Sequence, residues 1–184
     1  MLPIELDSIN RGLIYGEKKY SSFTYIGYFN ADGQIEGAGV VIHDDGEKGS
    51  GEYRSGNLNG IGKYEFPNGS TYWGEWKDNE REGYGTEYYP DSGQTYTGQF
   101  KNDRKHGYGH SKWESGSIHY GQWKVEKMEG YGYYKWAFGD EYDGEFKNGM
   151  RAGVGVHKWG ASGTIKRCNW KNNEIINVIK VIKH

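Results

Sequence analysis

Three histidines have the residue type and spacing that could bind a metal ion. His106 and His110 are four residues apart, and on a strand they would share one face, which His119 could also reach. The spacing matches no standard zinc motif, in which ligands recur at short fixed intervals. We therefore expect no metal site, and we expect these imidazoles to lie at the surface or at the edge of a groove.

Cys168 is the second feature that could be reactive, because Lys166 and Arg167 beside it could lower the pKa of its thiol. It falls, however, where a repeating pattern otherwise has glycine. We therefore interpret it as an inert small residue. A single cysteine allows no intramolecular disulfide, which fits a reducing compartment.

Glycine pairs along the chain suggest a loop that cradles phosphate. The pair Gly107 and Gly109 is followed by Lys112 where the dinucleotide fingerprint needs its third glycine, and Lys63 is followed by Tyr64 where a P-loop needs Ser or Thr. Neither G-x-S-x-G nor H-E-x-x-H occurs in the sequence. The sequence thus predicts neither an enzyme nor a bound cofactor.

The glycines instead mark an internal repeat of 23 or 24 residues. The first glycine of each unit falls at Gly27, Gly51, Gly74, Gly98, Gly121 and Gly144. One more step of 24 reaches Cys168, in a seventh and partial unit. A Gly-x-Gly pair follows each first glycine in register, so the high glycine content is positional.

One unit reads as a β-hairpin. Tyr96, Gly98 and Phe100 alternate with polar residues, and this period of two is typical of a strand. A polar loop is predicted at 101–106, and a second strand then carries the glycine pair and Trp113. Because strand glycines often mark close approach by another group, we expect the aromatic rings to lie on glycines of the neighbouring strand.

The phrase Tyr-x-Gly-x-Trp/Phe followed by Gly-x-Gly resembles the MORN (membrane occupation and recognition nexus) repeat, over roughly Tyr25 to Trp170. The resemblance implies an all-β fold, a single-layer antiparallel solenoid of tandem β-hairpins, elongated and twisted, with an aromatic groove. It also implies a non-catalytic scaffold in a cytoskeletal or ciliary (axonemal, radial-spoke-like) assembly. Membrane tethering and a regulatory module acting in trans on a kinase or methyltransferase are the alternatives it leaves open.

Three segments are expected: an N-terminal extension at 1–24, the repeat array at 25–170 and an apolar tail at 171–184. Residues Leu13 to Tyr15 could form a short strand that covers the edge of the first hairpin. Residues 174–184 carry β-branched pairs separated by polar residues, a period of three that suits either a strand or a helical stripe. The tail either packs on the last repeat or docks, as a partner or oligomer contact.

Two rows of aromatic residues are candidates for binding a partner protein, as an extended peptide or a helix. The first row, which would line the groove, is Tyr72, Trp76, Tyr96, Phe100, Trp123, Tyr142 and Phe146. The rival row, on the opposite face, lies between the paired glycines: Tyr84, Tyr108 and Tyr131. Acidic or amide residues share this face, each two residues before a cation, and are expected to form a solvated, self-neutralised ladder: Glu52, Glu75, Gln99, Gln122 and Glu145.

Charge and targeting patterns narrow the partners and the location. The formal net charge is −2, which gives no bias towards nucleic acid. The densest basic stretch, Arg104 to His106, is too short for a typical phosphoinositide cluster, so a peripheral membrane or phosphoinositide tether remains the less favoured alternative. No secretory signal or membrane-spanning run is visible. We therefore expect a cytoplasmic protein. The family resemblance implies that it is part of a larger complex in the cytoskeleton or cilium and that it can self-associate.

Overall fold

The computed structural model describes residues 12–183, and these residues form fifteen β-strands and no helix. They divide into two compact units, one up to Pro90 and one from Asp91. In the first unit the strands are β1 (Ile14–Lys19), β2 (Phe23–Phe29), β3 (Ile35–His43), β4 (Lys48–Arg54), β5 (Asn57–Glu65), β6 (Thr71–Lys77) and β7 (Glu80–Tyr89). In the second they are β8 (Gln94–Lys101), β9 (Arg104–Lys112), β10 (Ile118–Lys124), β11 (Lys127–Lys135), β12 (Glu141–Lys147), β13 (Met150–Lys158), β14 (Ile165–Lys171) and β15 (Glu174–Lys183).

Within each unit every strand pairs antiparallel with the strand that follows it in the chain. Each unit is thus a single-layer sheet of tandem hairpins, and the predicted all-β fold class is confirmed. No helix in the described range has the length and apolarity to cross a membrane. The repeat period of 23 or 24 residues corresponds to two strands and their two connections.

Six of the seven hairpins that form the repeat units close with a two-residue turn rather than the six-residue loop predicted at 101–106. Asn102 and Asp103 have φ values of 48° and 63°, and β9 starts directly afterwards at Arg104. Two consecutive left-handed residues define a type I′ turn, whose twist matches that of the flanking strands. The predicted loop was too long because polarity alone does not separate turn residues from strand residues that face solvent.

The inner face of each unit, defined as the face bearing the fully buried tyrosine rings, forms the core. Tyr25 and Tyr72 in the first unit and Tyr96 and Tyr142 in the second are 0% exposed. Each hydroxyl donates to the carbonyl of the residue three positions later, with distances of 2.9–3.3 Å. Each ring packs edge-on against aromatic rings four residues later, at centroid distances of 5.1–5.2 Å.

Glycines of the neighbouring strand lie directly beneath these rings, as predicted, and we call these glycines the glycine floor. A Cβ atom on Gly109 would lie 2.4 Å from the Tyr96 ring, a distance that real Cβ atoms do not show. Gly85 stands in the same relation to Tyr72, and Gly155 to Tyr142. The second glycine of each of these pairs is therefore a packing requirement of the core.

Strands at the two ends of the chain extend the sheets. Ile14 and Tyr15 belong to β1, which pairs with β2 and so covers the edge of the first hairpin, while Leu13 lies just before the strand. The tail forms β15, a strand paired with β14 rather than a helix. All ten residues of β15 are exposed.

Candidate protein-interaction surface

A β-bulge in each hairpin directs one residue to the outer face, the face opposite the buried rings. In the β8–β9 hairpin the pairing shifts from Gly98 with Gly109 to Gln99 with His106, so that Gly107 and Tyr108 have no partner on β8. Gly107 adopts a φ of 60°, which favours glycine. The bulge frees the backbone N–H of Tyr108, which donates to Gln99 Oε1 at 2.8 Å.

The same hydrogen bond recurs along the chain. Tyr84 donates to Glu75, Tyr131 to Gln122 and Val154 to Glu145, at distances of 2.7–3.2 Å. The acidic and amide ladder that the sequence predicted as a solvated, self-neutralised face therefore has a structural role. Four of its five side chains accept hydrogen bonds from backbone N–H groups that the bulges leave unpaired.

In the second unit this geometry exposes a set of aromatic residues, which we name the tyrosine face and define as Tyr108, Tyr120 and Tyr131. Their exposed fractions are 65%, 48% and 64%. Gln122 lies between them, donating from Nε2 to the Tyr108 hydroxyl at 3.1 Å while its Oε1 accepts from the Tyr131 N–H. The rings are thus anchored on a sheet and still open to solvent.

Residues around the tyrosine face give it polar edges. Tyr120 stacks on His110 with a centroid distance of 4.1 Å and parallel planes. Burial lowers the pKa of His110, so its ring is neutral near neutral pH. On the other side, Asp143 and Glu145 of β12 lie opposite Tyr133 and Tyr131. The surface therefore combines rings, amides and carboxylates, the composition of a protein-binding patch.

The first unit carries a smaller set of exposed apolar residues. Tyr84 is 62% exposed, and Trp73 is 61% exposed. Trp73 lies opposite Lys63 on β5 and Thr86 on β7. Ile61, which occupies the same repeat position as Tyr84, is 53% exposed. These residues give the first unit its own aromatic patch.

The row predicted to line a groove lies in the core instead of on an open surface. Its members are 0–7% exposed: Tyr72, Trp76, Tyr96, Phe100, Trp123, Tyr142 and Phe146. Trp76 also uses its indole N–H within the core, donating to the Gly62 carbonyl at 3.1 Å. Partner binding by this row stays a prediction, and the burial favours a packing role for the seven side chains.

Cations cover these rings on the inner face, a feature that sequence reasoning missed. The Lys105 ammonium lies 5.1 Å from the Tyr96 ring centroid, and the Arg151 guanidinium lies 4.2 Å from that of Trp170. Arg81 lies over Tyr72 and pairs with the buried carboxylate of Glu87. The repeat register in the sequence could have identified them, since all three cations occupy the same repeat position just after the turn.

The histidines do not form a cluster. His119 lies on the inner face, fully buried and edge-on to Trp123, whereas His110 lies on the outer face. The expectation that His119 lies at the surface or at the edge of a groove was wrong, because it occupies the slot of a core tyrosine in the repeat. Among residues 12–183 no group of three His, Cys, Asp or Glu side chains could hold a metal ion.

His157 belongs to a buried network in the second unit. Arg151 Nη1 donates to His157 Nδ1 at 3.0 Å, which leaves the Nε2–H to donate to Asp140 Oδ2, also at 3.0 Å. Burial lowers the pKa of His157. Burial alone would raise the pKa of Asp140, but hydrogen bonds from His157 and the Gly160 N–H lower it. This arrangement links two hairpins and presents no free base to a substrate.

Cys168 is likewise structural. It is 0% exposed in a cluster with Tyr142, Phe146 and Trp170. Burial raises the pKa of its thiol, which keeps the sulfur protonated near neutral pH. The neighbouring lysine and arginine do not activate it.

Tandem hairpins with rings resting on glycines of the neighbouring strand define a repeat protein that presents extended sheet surfaces. Five consecutive stretches match the family model of the MORN repeat: 50–71, 72–94, 96–118, 119–141 and 142–164. These stretches cover more than half of the sequence. The chain therefore belongs to the MORN repeat family.

No curated protein sequence matches this chain. Among solved structures, it is similar to the TCP domain of Drosophila melanogaster SAS-4 in complex with a proline-rich motif of Ana2, with a TM-score of 0.45, 15% identity, and coverage of 85% of this chain and 90% of that one. It is also similar to the TCP10c domain of Drosophila melanogaster Sas-4, with a TM-score of 0.42, 12% identity, and coverage of 85% and 86%. Likeness at this level bears on neither partner nor function.

Proposed function

We propose that this chain is a non-catalytic scaffold that binds a partner protein through the tyrosine face, within a cytoskeletal or ciliary assembly. One observation carries the proposal: Tyr108 and Tyr131 are about two-thirds exposed, 65% and 64%, although the core does not need them there. Large rings held rigidly on a sheet lose little conformational entropy on binding, and aromatic residues are enriched at interface hot spots.

The fold supports the same proposal. A sheet of tandem hairpins presents one copy of each surface position per repeat, which suits an extended peptide or a helix that contacts several hairpins. The cytoskeletal or ciliary setting follows from the family resemblance. The single buried thiol and the paired histidine network provide no nucleophile and base, which fits a binding role.

A comparison of three proteins tests the proposal. Tagged wild type, Tyr108→Ala/Tyr131→Ala and Phe138→Ala are used as baits, and the bound proteins are quantified by mass spectrometry. Phe138 is the matched control, because it is a 72% exposed ring of the same unit outside the tyrosine face. We expect the double variant to lose one near-stoichiometric protein that the control retains, at an unchanged melting temperature.

The alternative of a phosphoinositide tether is decided by liposome flotation with the same three proteins. Co-flotation of wild type with phosphoinositide vesicles, together with an unchanged protein partner set in the double variant, would contradict the scaffold proposal. A partner set that is identical for all three proteins would exclude the tyrosine face as the binding site.

A further inference from the structure

The turn ends of two hairpins in the second unit carry four exposed cations on the outer face. In the β8–β9 hairpin Lys101 lies directly opposite Arg104. In the β10–β11 hairpin Lys124 lies directly opposite Lys127. We name these four exposed residues the basic edge. Neighbouring strands are about 4.8 Å apart, so one cation on each of four consecutive strands gives a row of roughly 14 Å.

The basic edge is unfavourable for folding. Like charges that face each other across two strands destabilise a sheet, and the basic edge contains two such pairs. The other described hairpins with a two-residue turn place a cation opposite a residue that is not basic: Lys77 with Glu80, Lys171 with Glu174, Arg54 with Asn57 and Lys147 with Met150. Folding therefore does not explain the basic edge, whereas binding of an anionic group would.

The residue two positions before the first cation of each pair is an amide in the same two hairpins. Gln99 and Gln122 occupy a position that is glutamate in hairpins such as β6–β7, where it is Glu75. The amide accepts the backbone N–H of the bulge residue just as the carboxylate does. The exchange keeps the bulge but removes the negative charge that would neutralise the nearby cation.

Acids near the basic edge do not cancel its charge. Glu126 turns to the inner face, where its Oε1 accepts the Lys105 N–H at 2.6 Å and its Oε2 lies 3.8 Å from the Lys105 Nζ. Glu129 accepts the Asn148 N–H at 2.8 Å. Apart from Glu126, Asp103 and Glu129 are the acids of these two hairpin ends, against the four cations. The outer face is therefore positive beside the tyrosine face.

The tyrosine face lies close enough to the basic edge for one ligand to contact both. Gln122 and Lys124 are two residues apart on β10, a distance of about 7 Å. Tyr108 lies opposite Gln122, so the row of rings runs beside the row of cations. An extended chain laid along this boundary directs alternate side chains to opposite sides, one set towards the cations and the other over the rings. Side chains of one set recur about every 7 Å, so about three of them fit along the roughly 14 Å of the basic edge.

We propose that the tyrosine face and the basic edge together bind an extended acidic segment of a partner protein, in which carboxylates alternate with apolar side chains. This inference rests on the proposed function, because it names the chemistry of the partner for the same face. The carboxylates pair with the four cations, and the apolar side chains pack on the rings of Tyr108 and Tyr131. Binding also relieves the two like-charge pairs, which links affinity for the partner to a stability cost in the free protein.

A short, fluorescently labelled peptide of alternating glutamate and tyrosine is the probe, and its fluorescence anisotropy is measured with the full chain. We expect saturable binding that weakens as salt screens the charges. An alternating peptide of lysine and tyrosine should not bind. A peptide of the same composition, with all glutamates before all tyrosines, should bind about tenfold more weakly, because it cannot contact cations and rings along the whole row.

Reversal of one cation in each pair separates binding from folding. In Arg104→Glu/Lys127→Glu both like-charge pairs become attractive, as in the β6–β7 hairpin. We expect the affinity for the acidic peptide to fall about tenfold or more while the melting temperature rises by about 2–4 °C. Lys112→Glu/Lys135→Glu is the matched control, because it makes the same charge change on the same two strands, β9 and β11, at their opposite ends. The control should bind like wild type.

Several outcomes would overturn the proposal. They are equal binding of the alternating acidic peptide and either control peptide, equal loss of binding in the two charge-reversed proteins, and unchanged binding or a lower melting temperature in Arg104→Glu/Lys127→Glu. Tighter binding of single-stranded polyuridylate or of phosphatidylserine vesicles than of the acidic peptide would overturn it in favour of a different ligand.

The charge-reversed protein also serves as a fourth bait in the mass-spectrometry comparison, which separates this proposal from the proposed function. A partner that is lost by Tyr108→Ala/Tyr131→Ala but kept by Arg104→Glu/Lys127→Glu would overturn the acidic segment and leave the scaffold proposal standing. A partner that is kept by the tyrosine variant would contradict the scaffold proposal itself.

Discussion

Replacement of His119 with tyrosine should stabilise the protein, because four other hairpins fill the same slot with a buried tyrosine. The His119 ring is 0% exposed, and neither of its nitrogens has a hydrogen-bond partner. Its centroid lies 5.2 Å from that of Trp123 and 5.4 Å from that of Phe146, both edge-on. Tyr96 has an equivalent pair of neighbours at 5.2 Å, so a tyrosine ring suits the same space.

Near neutral pH, the free energy of unfolding should rise because the substitution removes two buried nitrogen atoms that lack a hydrogen-bond partner. A buried donor or acceptor without a partner costs about 1–3 kcal/mol. Tyrosine at position 119 would place its hydroxyl as Tyr96 does, donating to the carbonyl three residues later, which is that of Gln122. We therefore expect the free energy of unfolding of His119→Tyr to exceed that of wild type by about 1–3 kcal/mol.

The difference in free energy of unfolding between His119→Tyr and wild type should increase at acidic pH. Burial lowers the pKa of His119 to about 4 from an ordinary value of 6.5, so the unfolded chain binds more protons between these two values. The stabilising contribution of neutral His119 is complete above the unfolded pKa and is lost as the pH falls towards the folded pKa. Between about pH 7.5 and about pH 5 the loss is about 2 kcal/mol, because one pKa unit is worth about 1.4 kcal/mol. Tyrosine does not titrate in this range.

Urea unfolding followed by tryptophan fluorescence at the two pH values measures the effect. His110 and His157 titrate in both proteins, so their contributions cancel in the difference. His119→Phe is the control: it also removes the titration but has no hydroxyl, and it should be about 1 kcal/mol less stable than the tyrosine variant at both pH values. An advantage that is constant with pH, or a tyrosine variant less stable than wild type near pH 7.5, would refute the reasoning.

Three further substitutions test other parts of the hairpin. Gly149→Asn should raise the free energy of unfolding by about 0.5–1 kcal/mol. The reason is that Asn79, at the equivalent turn position, accepts a hydrogen bond at 2.7 Å from the Leu58 N–H of the preceding hairpin. A lower urea midpoint would contradict this prediction. Gly109→Ala should cost about 4 kcal/mol or more, since its Cβ would lie 2.4 Å from the Tyr96 ring, and an unchanged melting temperature would exclude the glycine floor. Gln122→Ala should lower the free energy of unfolding by about 1–2 kcal/mol, because it leaves the N–H of a bulge residue unpaired. Gln122→Glu should be tolerated, because other hairpins have glutamate at this position. Equal urea midpoints for the two variants would argue that the Gln122 side chain does not stabilise the bulge.

The sequence predicted the hairpins and their core because both depend on local periodicity. Tyr96 and Phe100 alternate with polar residues, and the same alternation returns every 23 or 24 residues, so strand type and register follow together. The glycine floor followed from the same register. These features need no knowledge of distant contacts, since each hairpin packs against its neighbours in the chain.

The bulges could not be predicted, and they account for most of the errors. A shift of two residues between Gly98 and Gln99 changes which side chains share a face, and simple alternation has no means of detecting it. Gln99 therefore looked like a solvated residue, although it accepts a backbone hydrogen bond. The same limit applies to β15, where repeated bulges turn a strand period of two into three.

His119 shows a different kind of error. The sequence predicted that it lies at the surface or at the edge of a groove, but its position in the repeat, 23 residues after Tyr96, places it in the core. In a repeat protein the register carries more structural information than local spacing. The rings of the predicted groove are buried for the same reason. An aromatic residue recurs at their positions along the repeat because the core requires a ring there.

This reasoning also indicates which position can vary for function. In each glycine pair the second glycine supports a ring on the inner face, while the first forms the bulge that turns the residue between them outward. In four hairpins that residue is fixed through its backbone N–H and not through its side chain, so its identity does not affect the core. Ala38, Ile61 and Val154 occupy it in some hairpins, and Tyr84, Tyr108 and Tyr131 occupy it in three successive ones. A position that packing leaves free, yet is tyrosine three times in succession, is where selection for a partner would be expected to act.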